Sequence, residues 1–222
     1  MGRSRHPGNV RRPRPGGAAG RDVTAMAPVI DLKPYVGASN SRLLVMVDLQ
    51  EEAYFRGAAG CADDLERSLE SCRAAIQHAR NAGMPIAFTR RAEGLDLVDR
   101  KAQSRWIMGL EPKRADMVFE RRQPSCYANP LFEDVVSRIG SFAIGGLAAE
   151  EVCLATAIDA SHRGHRVTFL TDAAASRKRR DADPGSVHLV ATKAIELFAD
   201  VATTAHWLVA TAQRPLRGHR YG

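Results

Sequence analysis

The chain has 222 residues, 45% of them hydrophobic, which is enough for one sizeable core, and no linker divides it into two credible domains. Its net charge of +7 suggests an anionic partner, but six arginines (Arg3, Arg5, Arg11, Arg12, Arg14 and Arg21) face only Asp22 within residues 1–25, which leaves +2 for the rest. The basicity belongs to one terminal segment, which argues against a nucleic-acid-binding face, and no stretch reaches the roughly 18 apolar residues of a membrane span.

Residues 1–38, beginning MGRSRHPGNVRRPRPGG, are rich in Gly, Pro and Arg and show no apolar period. A disordered tail is expected, because such a segment buries too little to offset the entropy of ordering. It also lacks the apolar stretch of a secretory signal, so a cytoplasmic protein is expected. Cys61, Cys72, Cys126 and Cys153 are scattered without a C-x-x-C pair, which argues against a zinc ribbon or a disulfide framework and fits a reducing compartment.

Residues 39–214 read as one folded domain, with 215–222 as a flexible end. LLVMVDLQ (43–50) is a short apolar run without alternation, the pattern of a strand covered on both faces, and it ends in Asp48. DDLERSLESCRAAIQHARNA (63–82) places Leu65, Leu69, Cys72, Ile76 and Ala79 on one stripe of an amphipathic helix, capped by Asp63 or Asp64 and stopped by Gly83. MPIAFTRR (84–91) gives a second strand, followed by a long polar loop over 92–115 with one helical turn. A third strand is expected at DMVFE (116–120), then a Pro-bearing turn and a short helix around 129–138. SFAIGG (141–146) reads as the fourth strand, Glu150 to His162 as a helix ended by Gly164, and RVTFLTD (166–172) as the fifth strand. The loop AAASRKRRDADPGS (173–186) leads to a helix over 187–198, a short strand at DVATT (200–204) and a last helical stretch over 205–212.

Strands alternating with helices imply an α/β three-layer sandwich, with a mostly parallel sheet of about six strands and helices on both faces. In such sheets ligands bind beyond the carboxyl ends of the strands. Chemistry is therefore sought just past strands 1, 3 and 4, at Asp48, Arg121 and the turn leading to Cys153. No G-x-G-x-x-G or P-loop pattern follows a strand, and no cofactor is expected.

A thiol in the first turn of a helix faces unpaired amides and the positive end of the dipole, which favour a thiolate. Taken alone, Cys153 is better explained as a packed small hydrophobe, because free cysteine is among the most buried residue types. A carboxylate such as Asp48, ending an apolar buried strand, is costly unless hydrogen-bonded or used, and it can also cap the turn in DLQEE.

Three stretches then speak together: LLVMVDLQEE, VFERRQPSCYANPLFEDVV and GGLAAEEVCLATAIDASHRGHRVTFLTDAAAS. In order and approximate separation they resemble the isochorismatase-like cysteine hydrolases, which include nicotinamidases, carbamoylsarcosine amidohydrolases and ureidoacrylate amidohydrolases, and the resemblance runs from about residue 42 to 210. It implies a Rossmann-like topology, with Asp48 as acid/base, Cys153 as nucleophile, and the backbone amides of Ala149 and Cys153 as an oxyanion hole preceded by a cis bond between Ala148 and Ala149. The family's lysine falls on Arg121, which keeps the charge but delivers its donors as a planar fork. Nicotinamidases carry an Asp-x-His and a further His after the second strand. The matching segment here, FTRRAEGLDLVD, has no histidine, so no metal is expected, and His162 and His165 read as helix-end residues.

Trp106, Phe119 and Tyr127 are candidate pocket walls, each equally explicable as core, and Cys126 is expected to pack in the pocket wall, with a second reactive thiol as the alternative. SRKRRDADPGS (176–186) reads as a solvated loop, with an anionic-substrate role as the alternative. The resemblance implies cysteine-dependent hydrolysis of an amide or ureido C–N bond in a small molecule, through a thioester, by a homo-oligomer (dimer or tetramer). Two other readings stand beside it: isochorismatase-type hydrolysis of a vinyl ether, which in the family does not need the thiol, and a catalytically silent binding protein of the same fold.

Overall fold

The computed structural model describes residues 41–53, 62–92 and 105–212. The expected tail over 1–38, the end over 215–222 and residues 93–104 of the 92–115 loop lie outside them. Strand β1 (Leu44–Val47) is buried at every position, as an unalternating apolar run requires. Helix α1 (Ala62–Asn81) buries the stripe its sequence spells, Leu65, Leu69, Cys72, Ile76 and Ala79. Strands β2 (Ile86–Arg91) and β3 (Met117–Arg121) follow. Helix α2 (Pro130–Ile139) opens with Asn129, whose side chain accepts from the Leu131 amide, and closes with Gly140 in the left-handed region.

Strand β4 (Ser141–Leu147) leads into a π-type turn, Ala149–Cys153, and then helix α3 (Leu154–His162). In that turn the amides of Glu151, Val152 and Cys153 share the Ala148 carbonyl, at 3.4, 3.0 and 3.3 Å. The single helix expected from Glu150 is therefore two pieces. Strand β5 (Arg166–Ala175) runs three residues beyond the expected end, because Ala174 and Ala175 pair with Gly146 and Leu147. Helix α4 (Pro184–Ile195) starts three residues earlier than expected. Asp183 accepts from the Ser186 amide and Pro184 takes the first turn, so D-P-G-S is a helix start and not loop. Strand β6 (Asp200–Ala202) and helix α5 (Thr204–Ala212) complete the described chain.

The six strands lie in the order β3-β2-β1-β4-β5-β6, every neighbouring pair parallel. Alternate residues of β1 feed opposite faces. Leu44 and Met46 pack with α1 and with Trp207 of α5, while Val45 and Val47 pack with Phe132 of α2, Ala157 of α3 and Ile195 of α4. This is the expected three-layer α/β sandwich. The chain winds outward from β1 to β3 and restarts at β4 on the other side of β1, so the winding reverses between β1 and β4. A crevice opens at the carboxyl ends of such a pair.

Two glycines make that approach possible. A Cβ on Gly146, whose φ is 119°, would lie 2.2 Å from the Val47 carbonyl oxygen, and one on Gly145 would lie 2.7 Å from the Ala173 carbonyl oxygen. Any side chain at either position would push β4 off its neighbours.

Candidate active site

Asp48 leaves β1 with φ of 47°, a left-handed conformation that aspartate tolerates better than most residues, and its amide donates to the Thr89 carbonyl at 3.0 Å. Arg121 ends β3, two strands away. The two side chains are buried and meet over the end of β2. Arg121 Nη2 donates to Asp48 Oδ2, and Nη1 donates to the Gln123 carbonyl at 2.8 Å. Asp48 Oδ1 is buried with no hydrogen-bond partner among the described residues. Loss of water pushes the Asp48 carboxyl up to about 6; Arg121 and Arg177 pull it down without cancelling that effect, and Glu151 adds to the push.

The crevice around this pair is lined by Asp48, Gln50, Glu52, Ala53, Arg91, Glu151 and Arg177. Arg177 and Arg179, in the segment read as a solvated loop, fold onto the π turn: Arg179 reaches Glu150 at 3.0 Å, and both reach Glu151 at 3.5 Å. Arg91 stands 3.8 Å from the other Glu151 oxygen.

Cys153 is not part of that lining. It is fully buried among Val47, Cys126 and Ala157, and it follows Glu151 by two residues, about half a turn of helix, so it faces the core where Glu151 faces the crevice. The first-turn position predicts a lowered thiol pKa. Instead, burial raises it well above the ordinary value, and Cys126 and Asp48 push the same way. Ala149 is also fully buried, and the Cys153 amide donates to the Ala148 carbonyl. The cis bond lies between Leu147 and Ala148, one residue earlier than the resemblance implies. Leu147 is the last β4 residue that pairs with β5, so Leu147–Ala148 is the first peptide beyond the sheet.

Comparison with known proteins bears on this arrangement. The family model described as Isochorismatase domain matches residues 42–206. The chain belongs to the isochorismatase domain family. Its fold is that family's hydrolase fold. An isochorismatase from Pseudomonas putida KT2440 superimposes with a TM-score of 0.65 at 24% identity, covering 76% of this chain and 90% of that one. A cysteine hydrolase from Pseudomonas syringae pv. phaseolicola gives a TM-score of 0.64 at 20% identity, covering 76% and 92%. A ribonuclease from Caenorhabditis elegans gives 0.61 at 20%, covering 78% and 81%, so one fold carries differently described proteins. No curated protein matches the sequence.

Within this isochorismatase-family domain the expected pocket walls separate. Trp106 stays near the crevice, bridged to Gln50 and set edge-on to Phe88 at 5.7 Å. Phe119 and Tyr127 pack edge-on against Phe132 at 5.6 and 5.2 Å, in the core under α2, because their backbone turns them inward from β3 and the following turn. Cys126 lies beside them, its amide donating to Thr156 Oγ1 at 3.0 Å. His165 Nδ1 shares a 2.8 Å hydrogen bond with Tyr127 Oη. Among the described residues no group of three or more His, Cys, Asp or Glu could hold a metal ion, and no helix is long and apolar enough to cross a membrane.

Sequence reasoning missed Gln50, Arg91, Glu151 and Arg177. The alternative anionic role for the 176–186 loop was the one signal that pointed to Arg177.

Proposed function

We propose that the protein is a small-molecule hydrolase whose working group is the Asp48 carboxyl, donating a proton without a covalent thiol intermediate. One observation carries the reading. The carboxyl lies at the winding reversal with one oxygen held by Arg121, the other free for a substrate, and a pKa raised to about 6, so it is partly protonated near neutrality.

The chemistry that suits a lone carboxylic acid is hydrolysis of a vinyl ether. Asp48 gives its proton to the terminal carbon of the double bond, leaving an oxocarbenium ion. Arg121 stabilises the carboxylate that forms. Water adds to the cationic carbon and returns a proton to Asp48, and the hemiketal collapses to a ketone and an alcohol. The crevice residues orient the substrate and limit water around the acid.

A second reading keeps the thiol. Here Asp48 takes the Cys153 proton, the thiolate attacks an amide or ureido carbonyl, the amine leaves, and water opens the thioester. It is supported by the Asp48 charge, which acts on the Cys153 thiol and helps to raise its pKa. It requires the core-facing thiol to become accessible.

The test is turnover of a panel of carboxyvinyl ethers, amides and ureides by wild type, Asp48→Asn and Cys153→Ala. Asp48→Asn is expected to lose about 100-fold or more, and Cys153→Ala to stay within about threefold. Loss of activity in Cys153→Ala establishes the thiol reading instead. Turnover that survives both substitutions sinks both, and no turnover by the wild type points to a binding protein.

A further inference from the structure

Two guanidiniums stand in the crevice wall beside Asp48 and are not used by the proton transfer: Arg91 at the end of β2 and Arg177 just past β5. Between them sits Glu151. Its oxygens lie 3.8 Å from Arg91 and 3.5 Å from Arg177, both longer than the roughly 2.7–3.2 Å of a good N–H···O bond. Arg179 also stands 3.5 Å from Glu151, but it has a closer carboxylate of its own, Glu150 at 3.0 Å, and it is not in the crevice lining, so Arg91 and Arg177 are the lining pair left in loose contact. The Arg177 side chain is only 18% exposed, and its Nε is buried with no hydrogen-bond partner among the described residues.

A planar guanidinium fork is built to take a carboxylate through two parallel bonds, and Glu151 supplies no such geometry here. Glu151 can also leave. Its side chain is 25% exposed and it rides on the π turn, where three amides crowd one carbonyl at 3.0–3.4 Å. Glu52, a third carboxylate in the lining beside Asp48 and Glu151, argues against a crevice that simply collects anions and calls for a placed contact.

We propose that Arg91 and Arg177 form a seat for a carboxylate of the substrate, and that Glu151 occupies this seat in the empty protein as an internal stand-in which the substrate displaces. The inference rests on reading the Asp48 crevice as the site of hydrolysis, and it deepens that reading: the substrate carries a carboxylate close to the bond that Asp48 protonates. Arg177 and Glu151 then set specificity from opposite sides. Arg177 attracts the anion, and Glu151 competes with it, so neutral analogues gain nothing at the seat.

The test is ligand-observed NMR titration of the full chain with benzoate and with its neutral counterpart benzamide. Benzoate is expected to bind saturably and about tenfold more tightly than benzamide. Arg177→Gln and Arg91→Gln each weaken benzoate about fivefold or more and leave benzamide unchanged, while Arg177→Lys restores part of the loss. Glu151→Gln tightens benzoate severalfold by removing the competitor, an effect that misfolding cannot imitate.

Absence of saturable benzoate binding, equal binding of the two probes, or weaker benzoate binding in Glu151→Gln would each overturn the seat. The readout needs no turnover, so the two proposals fail separately. Benzoate binding as described alongside Asp48-independent turnover removes the acid and keeps the seat. Asp48-dependent turnover with equal probe binding does the reverse.

Discussion

Asp48 is held between opposing influences that fix the direction of its pH response. Burial pushes the carboxyl up to about 6, Arg121 and Arg177 pull it down, and Glu151 pushes it up. A general acid works in its protonated form, so kcat/KM is expected to be level below pH 6 and to fall about tenfold per unit above it. Arg177→Gln removes a pull and moves the midpoint up; Glu151→Gln removes a push and moves it down. A limb that rises with pH through 6 would make Asp48 a base and return the reaction to the thiol. The same shift links to stability: a raised carboxyl pKa contributes stability present below the ordinary carboxylate range near about 4 and lost as pH rises through about 6. Asp48 was legible in the sequence because a carboxylate closing an apolar run needs a reason to be there. Arg121 was legible as the residue just past the third strand, and only the resemblance tied it to Asp48, since their meeting spans three strands. The burial of Cys153 was not legible, because a thiol in the first turn of a helix can meet either a crevice or the core, and nothing in E-E-V-C decides which.

At the scale of the element, β4 decides whether the crevice exists. Its glycine pair brings its backbone against β1 and β5, and the chain turns off the sheet immediately afterwards. Gly146→Ala places a methyl 2.2 Å from the Val47 carbonyl oxygen at a φ of 119°, and it is expected to cost roughly 3 kcal/mol or more in urea unfolding. Gly83→Ala is the matched control: its φ is 63° but nothing lies within 4 Å, so only the backbone term of roughly 1–2 kcal/mol applies. Equal losses at the two positions would mean that the β1–β4 approach yields to a side chain. The sequence shows G-G but not its cause, because the clash is with Val47 and Ala173, far away along the chain. Helix α2 was legible almost to the residue, because N-P at its start and Gly140 at its end are local signals. The start of α4 was missed although Asp183 and Pro184 are the same kind of signal, because the basic run before them drew the reading toward loop.

For the whole molecule, alternation of strands and helices was enough to predict the layers, since each apolar run needs cover on two sides. The sheet order was not open to local patterning; the resemblance implied a Rossmann-like topology without spelling out the order, and the pairings show a parallel sheet of six strands. Helix α4 points beyond the single chain. Its inner side buries Ala191 and Ile195, yet Leu189 and Val190 are 61% and 69% exposed, and Leu197, just past its end, is 78% exposed. Val190 and Leu197 are seven residues apart and share one side. A helix apolar on both sides is a buried helix, and here one side has no cover within the described residues. A dimer or tetramer, the assembly that we propose, would supply that cover. Light scattering on the wild type is expected to give a multiple of the 24.2 kDa chain, and Val190→Glu with Leu197→Glu is expected to reduce it to one chain without unfolding. A monomeric wild type would refute the assembly, whereas an oligomer untouched by the two charges would place its interface away from α4.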